Sequence, residues 1–181
     1  NRHAQQMTLN YELPFKLIPA LDFINGQYTY TSNFDWQRGG DALNEVAGES
    51  INTVQNANTH TLSANMNMQK FYDLVGLKKV TGNARSKAAK SKSTDKRLNV
   101  TYSQNSGTVL PGYTQSIGFI GTTRPTLGYV FGSQQADVRY EAAKNGWLTT
   151  FGDFNDQFVQ TENKSLIITA TAQPLKDLTI D

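Results

Sequence analysis

The chain of 181 residues carries 17 basic and 15 acidic residues, a formal net charge of +2, so its charge does not call for a nucleic-acid partner. No apolar run approaches 18 residues, which excludes membrane-spanning helices, and the absence of cysteine excludes disulfides and cysteine-based sites. Neither property excludes a β-barrel, because barrel strands place apolar residues only at alternate positions.

The first third of the chain predicts two strands. Residues 5–13 alternate between apolar and polar side chains, and Pro14 ends the pattern because proline cannot donate to a sheet. Residues 16–25 predict a short connection with room for one helical turn. Residues 26–38 predict a second strand with Tyr28, Tyr30, Phe34 and Trp36 on one face. Such alternation is also typical of a soluble β-sandwich core, which stays open as an alternative.

A third strand is predicted over residues 52–69, after a loop that runs from Arg38 to Ser50. Its polar first half includes His60, and its second half has an apolar face that runs from Leu62 to Met68. Phe71 and Tyr72 follow where the alternation stops, as aromatic residues do where a barrel strand meets the membrane interface. The alternation covers about 16 residues, whereas a tilted strand crosses a bilayer in about 9 to 11. The polar half is therefore predicted to project beyond the membrane.

Residues 78–97 form a basic connection. They hold eight of the 17 basic residues and only one acidic residue, Asp95. Such a run suits an anionic partner, either nucleic acid or lipid head groups. No aromatic residue interleaves the charges as a base-stacking surface would require, which favours a solvated linker.

The second half of the chain predicts two strands separated by a long loop. The strands cover residues 97–103 and 165–173, the second ending at Pro174. The loop, residues 104–163, is rich in glycine and aromatic residues, and a loop of this length in a compact domain is usually functional. Its notable residues are Leu110, Pro111, Gly112, Tyr113, Phe131 and Trp147.

The connections differ in a regular way along the chain. Lysines mark the shorter ones, at Lys16, Lys70 and Lys176, and glycines mark the longer ones. Outer-membrane barrels have short periplasmic turns and long extracellular loops. The sequence therefore predicts an all-β segment of an antiparallel transmembrane β-barrel, with residues 104–163 extracellular and 78–97 periplasmic, although 78–97 is long for that side.

The alternation assigns side chains to the membrane. The predicted lipid-facing residues are Leu9, Tyr11, Leu13, Tyr28, Tyr30, Leu62, Ala64, Met66, Leu166, Ile168 and Ala170. The predicted aromatic girdle is Phe34, Trp36, Phe71 and Tyr72.

Catalytic and metal-binding patterns are absent from the sequence. His3 and His60 are too far apart for a metal pair at helical spacing, and the acidic run from Asp153 to Asp156 lacks the spacing of a calcium loop. No glycine-rich phosphate loop or nucleophile elbow is present. We predict no enzymatic activity and no cofactor.

Several motifs in one order resemble the SprA (Sov) family, the outer-membrane translocon of the bacterial type IX secretion system. They are YTYTSNFDWQR at 28–38, NTVQNAN at 52–58, KFY at 70–72, LKK at 77–79, VTYSQ at 100–104, LPGY at 110–113, GYVFGSQ at 128–134, NGWL at 145–148 and PLKDL at 174–178. The resemblance covers nearly the whole chain apart from residues 82–96. Family members are far longer, so we expect this chain to be a fragment, with Val80 and Leu98 separated by more sequence in the natural protein.

The resemblance implies a function in protein export. It implies a segment of a very large single-chain barrel in the outer membrane of a Gram-negative bacterium of the Bacteroidetes type, through which folded cargo proteins leave the cell. The implied partners are the PorV cargo-shuttle barrel, a plug protein, secreted cargo proteins and outer-membrane lipid. A porin or nutrient-uptake barrel, and a soluble β-sandwich adhesin or binding module, are the alternatives.

Overall fold

The computed structural model describes residues 1–76, 97–117, 121–175 and 178–180. Six strands account for most of these residues: β1 Arg2–Leu13, β2 Ile24–Arg38, β3 Asn52–Asn67, β4 Arg97–Tyr113, β5 Val159–Leu175 and β6 Leu178–Ile180. The connections hold four short helices, α1 Asp41–Ala47, α2 Met68–Leu74, α3 Leu127–Val130 and α4 Val138–Lys144, and two 3₁₀ turns, Phe15–Leu17 and Pro19–Leu21.

The strands form one antiparallel sheet in which neighbours in sequence are neighbours in space, in the order β1-β2-β3-β4-β5-β6. The short β6 pairs with the end of β5, with Ala172 opposite Ile180 and Leu175 opposite Leu178. The prediction of an all-β fold is confirmed. Among the described residues, no helix has both the length and the apolar content needed to cross a bilayer.

Three connections contain helices that the sequence did not predict: α1 between β2 and β3, α2 between β3 and β4, and α3 and α4 between β4 and β5. Residues 41–47 form α1 inside the predicted loop, and Gly48 ends the helix with a φ of 68°, the left-handed conformation typical of a helix C-terminus. The third strand ends earlier than residue 69 because Asn67 caps α2. The Asn67 side-chain oxygen accepts hydrogen bonds from the backbone N–H groups of Gln69 and Lys70, at 3.0 and 3.2 Å.

The strands flanking the predicted loop are longer than expected. β4 continues through residues 104–113, and β5 begins at Val159, so the connection between them covers residues 114–158. Gly107 and Pro111 are strand-breaking residues by local propensity. Gly107 nevertheless lies between two strands: a Cβ there would stand 3.6 Å from the Asn56 carbonyl oxygen and 3.2 Å from the Thr161 hydroxyl. Hydrogen bonding to strands on both sides overrides the local preference.

The chain divides into two compact units. The first comprises Asn1–Leu9, Thr29–His60 and Gln104–Lys164, and the second comprises Asn10–Tyr28, Thr61–Ser103 and Ser165–Asp181. The hydrophobic core lies in the first unit. Its buried members are Phe34, Trp36, Val54, Leu110, Tyr113, Tyr129, Val130, Val138 and Ala142.

The second unit joins the β1–β2 connection to the start of α2. The Phe23 and Phe71 rings lie 5.1 Å apart, and the Asn67 N–H donates to the Phe23 carbonyl at 2.8 Å. A salt bridge of 3.1 Å links Lys70 to Asp22. The β1–β2 connection and the start of α2 therefore pack against each other. The predicted periplasmic stretch 78–97, apart from Arg97 at the start of β4, lies outside the described residues, as does Lys176.

Candidate functional site: the segment clamped to the sheet

The most elaborate site in the described residues is formed where residues 121–158, here called the covering segment, pack on the strands of the first unit. Tyr129 is its anchor, and the Tyr129 ring meets the Phe34 ring edge-on at a centroid distance of 6.2 Å. The Tyr129 hydroxyl lies 3.2 Å from the carbonyl oxygens of Val54 and Thr108 and can donate to either. Burial raises the pKa of this phenol well above its ordinary value, so Tyr129 is neutral at physiological pH.

Side chains of β2 and β3 hold the main chain of the covering segment. The Asn56 amide nitrogen donates to the carbonyl oxygens of Tyr129 and Ser133, both at 2.8 Å, and Asn58 donates to Gly132 at 2.7 Å. The Tyr30 hydroxyl donates to the Phe131 carbonyl at 2.6 Å. We call Tyr30, Asn56 and Asn58 the carbonyl clamp. A buried carbonyl without a donor would cost about 1 to 3 kcal/mol, so the clamp satisfies an otherwise unfavourable turn.

A second layer of hydrogen bonds fixes the orientation of the clamp. The Gln134 amide nitrogen donates to the Asn56 side-chain oxygen at 3.0 Å, and the Thr108 hydroxyl donates to the Gln134 side-chain oxygen at 2.6 Å. From β5, the Gln160 amide donates to the Gln134 backbone carbonyl at 3.0 Å. Strands β3, β4 and β5 thus converge on Gln134. Because the Asn56 oxygen accepts from Gln134, its nitrogen is left to donate to the Tyr129 and Ser133 carbonyls.

Gly132 is the one residue of the clamped turn whose identity the contacts dictate. Its φ is 92°, a conformation that side chains rarely adopt. A Cβ at this position would lie 2.8 Å from the Ser32 Cβ and 3.1 Å from the Asn58 Cβ. The close approach of backbone to sheet therefore requires glycine.

A second attachment lies at the end of β4. The Trp36 indole N–H donates to the Gln115 carbonyl at 3.1 Å, and the Trp147 carbonyl accepts from the Thr114 N–H at 2.9 Å. The Tyr113 and Trp147 rings meet edge-on, with the Arg124 guanidinium 5.2 Å from the centre of the indole ring. Burial raises the pKa of Tyr113 to about 12. Unlike Tyr129, Tyr113 has a buried hydroxyl with no hydrogen-bond partner in the described part of the chain.

These contacts correct two predicted girdle residues. Phe34 and Trp36 are 1% and 6% exposed and belong to the core beneath the covering segment, so they cannot lie at a lipid interface in this fold. The alternation was read correctly, but protein covers this face of β2. The other two girdle residues, Phe71 and Tyr72, lie half-buried in α2, and their girdle role stays a prediction.

The predicted loop residues separate into two groups. Leu110, Gly112 and Tyr113 are buried in β4, and Pro111 is half-buried there. They belong to the sheet on which the covering segment packs. Trp147 is half-buried, and Phe131 is exposed beside Leu127. Phe131 and Leu127 line a groove of about 490 Å³ together with Gln5, Met7 and Thr122. Phe131 is the predicted loop residue that the fold leaves open to a partner.

The predicted lipid-facing residues show a range of exposure. Exposed members are Leu9, Tyr11, Leu62, Leu166, Ile168 and Ala170, and half-buried members are Leu13, Tyr28, Tyr30, Ala64 and Met66. The Tyr30 hydroxyl bonds to the covering segment, and the Tyr30 ring meets the His60 ring at a tilt of 49° and a centroid distance of 4.8 Å. Ile167 is also exposed, on the face opposite to Ile168, and breaks the polar side of the pattern. Lipid contact for this set stays a prediction.

The carbonyl clamp was not predicted from the sequence, although a signal was present. By alternation, one face of β3 carries Val54, Asn56, Asn58 and His60, followed by the apolar residues from Leu62 onward. Polar side chains on the same face as apolar ones suggest hydrogen-bond partners within the protein. No described residues group into a cluster of three or more histidines and carboxylates able to hold a metal. No protein-family model matches the sequence, and comparison with curated proteins gave no significant match.

Proposed function

We propose that the chain forms part of the wall of an outer-membrane β-barrel, and that this barrel is the type IX secretion translocon whose motifs the sequence resembles. The observation that carries the proposal is the exposed apolar alternation in the second unit. Leu62 on β3 and Leu166 and Ile168 on β5 are exposed, while neighbours such as Thr61 and Thr169 are polar. Large apolar side chains exposed at alternate strand positions are unfavourable in water and favourable against lipid.

Strand length supports a wall that extends past the bilayer. β3 has 16 residues and β5 has 17, whereas about 9 to 11 residues cross a membrane. Buried asparagines of β3 hold the covering segment by donating to its backbone carbonyls. Such polar groups suit a location outside the hydrocarbon core of the bilayer. We assign the clamped residues to the cell surface.

Within this proposal the covering segment is a fixed part of the wall. Its backbone is held by the carbonyl clamp and its core side chains are buried, which supports a preformed docking surface rather than a loop that orders on binding. Phe131 and the adjoining groove are the candidates for contact with the PorV shuttle barrel, a plug protein or cargo, the partners that the resemblance implies.

The membrane assignment is tested with a pair of adjacent positions on opposite faces of β5. Ile168→Arg should destabilise the membrane-inserted protein by about 2 to 4 kcal/mol if residue 168 lies near the bilayer midplane. Thr169→Arg, the matched control, should be tolerated because its side chain points to the polar face. Urea titration of the protein folded into phospholipid vesicles measures both. Equal sensitivity of the two positions would contradict a lipid-facing side.

The packed core of the first unit favours a soluble β-sandwich binding module as a second candidate. Such a module would stay monodisperse and unfold cooperatively without detergent, whereas a barrel wall would require detergent or lipid. Sedimentation of the purified protein with and without detergent distinguishes the two. A porin would share the detergent requirement but would pass small solutes without partners, which liposome swelling would detect.

A further inference from the structure

The covering segment is held by the same strand faces that carry the predicted lipid-facing residues. β2 shows this most directly, because Tyr30, a predicted lipid-facing residue, donates from its hydroxyl to the Phe131 carbonyl at 2.6 Å. Phe34, four residues further along β2, meets the Tyr129 ring edge-on. Side chains of a strand alternate between two faces, so residues 30 and 34 point to the same side of the sheet. One face of β2 therefore carries both the proposed lipid contact and the attachment of the segment.

β1 has the same arrangement within the first unit. Gln5 lies against the backbone of the segment at Gly121, where an added Cβ would overlap the Gln5 side-chain amide. Met7, the next residue on that face, lines the groove together with Leu127 of the segment. Leu9, an exposed residue of the predicted lipid-facing set, comes next on the same face. On β1, the face beneath the segment therefore continues directly into the predicted lipid face.

Alternation along β3 and β5 leads to the same assignment. Asn56 donates to carbonyls of the segment, and Leu62 follows on the same even-numbered face of β3. On β5, Gln160 donates to the Gln134 carbonyl, and Ile168 follows on the even-numbered face. On four strands, the residues that hold the segment and the residues assigned to lipid thus share a face.

The opposite face of the sheet is mainly polar over the stretch that the segment covers. A groove there is lined by residues that include Arg2, Asn33, Asp35 and Gln55, and a salt bridge of 2.5 Å joins Arg2 to Asp35. A transmembrane barrel has an apolar outward-facing band and a polar interior. The polar face is therefore the one that suits the lining of a pore.

We propose that the covering segment packs on the outer surface of the barrel wall, next to the lipid-facing positions, and that the polar face behind it lines the pore. The inference rests on the proposed barrel function and deepens it, because it names the side of the wall that the segment occupies. In this position the segment neither narrows the pore nor meets cargo inside it. A partner that reaches the groove beside Leu127 and Phe131 must approach from outside the barrel.

The test uses the absence of cysteine from the chain. The single-cysteine variants Leu127→Cys, Asn33→Cys and Ile168→Cys each carry a nitroxide spin label and are folded into phospholipid vesicles. Leu127 and Asn33 are both exposed and lie on opposite sides of the sheet, so they form a matched pair. Power saturation is measured with three relaxing agents: nickel-chelating lipids whose metal stands just above the head groups, a soluble nickel chelate, and oxygen, which concentrates in the acyl region.

We expect the label at 168 to respond to oxygen, the label at 127 to the nickel lipids, and the label at 33 to the soluble chelate alone. If the label at 33 responds to the nickel lipids and the label at 127 does not, while 168 lies in lipid, the inference is overturned and the segment lies inside the pore. Equal responses of these two labels to the nickel lipids, whether strong or absent, would also overturn it, because the two faces would not differ in their distance from lipid. A label at 168 that responds to the soluble chelate and not to oxygen would instead contradict the proposed function.

Discussion

Tyr113 and Tyr129 are both buried in the first unit, yet their hydroxyl groups have opposite surroundings. The Tyr129 hydroxyl bonds to the backbone carbonyls of Val54 or Thr108, whereas the Tyr113 hydroxyl has no partner in the described part of the chain. A buried hydroxyl that bonds stabilises the fold modestly, and one that does not bond costs its desolvation. The two residues are thus an internal comparison of the same chemical group.

We expect Tyr129→Phe to lower the free energy of unfolding by about 0.5 to 1.5 kcal/mol, because it removes a hydrogen bond and leaves the ring contacts. Tyr113→Phe should leave stability unchanged or raise it, because it removes an unsatisfied group. Urea titration of the detergent-solubilised protein, followed by tryptophan fluorescence, measures both variants. A larger loss for Tyr113→Phe than for Tyr129→Phe would contradict these surroundings.

The same phenols predict a response to alkaline pH. Folding raises the pKa of Tyr113 from 10.0 to about 12, and burial raises that of Tyr129 in the same direction. A folded-state pKa above the unfolded one means that the stabilisation is complete below pH 10 and is lost as the pH rises towards 12. The covering segment should therefore loosen in this window, detected as faster cleavage within residues 121–158 by an alkaline protease such as subtilisin. The double variant Tyr113→Phe, Tyr129→Phe should shift the loosening to higher pH, and an unshifted profile would assign it to other groups.

At the scale of elements, the covering segment depends on the carbonyl clamp of β2 and β3. Asn56→Ala removes the donors to two carbonyls and Asn58→Ala removes the donor to a third. Since the sheet beneath is hydrogen-bonded strand to strand, it should persist when the segment detaches. The clamp therefore offers a way to release this element without deleting it.

We expect Asn56→Ala, Asn58→Ala to cost about 1 to 3 kcal/mol for each carbonyl left without a donor. Under the proposed function, the protein in cells should remain in the outer membrane while cargo export or partner capture falls. Asn33→Ala, at an exposed position on β2, is the matched control and should behave as wild type. Trypsin protection, membrane fractionation and secreted cargo are measured together. Normal export with a detached segment would show that the covering segment has no part in secretion.

Sequence alternation was sufficient to find the main strands but not to say what covers them. Met7, Tyr28 and Leu62 were placed on strands because a period of two is a local property. Phe34 and Trp36 show the same period, and only the fold reveals that a distant segment packs on them. The continuation of β4 past Gly107 was likewise hidden, because two neighbouring strands stabilise it. The carbonyl clamp was missed for the same reason: Asn56 and Asn58 bond to main-chain atoms about 75 residues away in sequence, which carry no side-chain signature.

At the scale of the whole molecule, the sheet has β1 and β6 as its edges. β1 is 12 residues long and carries the exposed Leu9 and Tyr11. Long apolar edge strands in water are templates for aggregation, whereas in a barrel they pair with further strands. In the proposed barrel wall, lipid covers the exposed apolar side chains and further strands pair with the two edges of the sheet.

The carbonyl clamp has a consequence for how this protein can change over evolutionary time. Its donors bond to backbone carbonyl oxygens, which every amino acid has, so these hydrogen bonds do not depend on which side chains stand at positions 131 and 133. Gly132 is constrained by the space above Ser32, but its neighbours are not. The exposed side chains of this turn can therefore change during evolution while its backbone stays bonded to the sheet. The same fold could then present different binding surfaces.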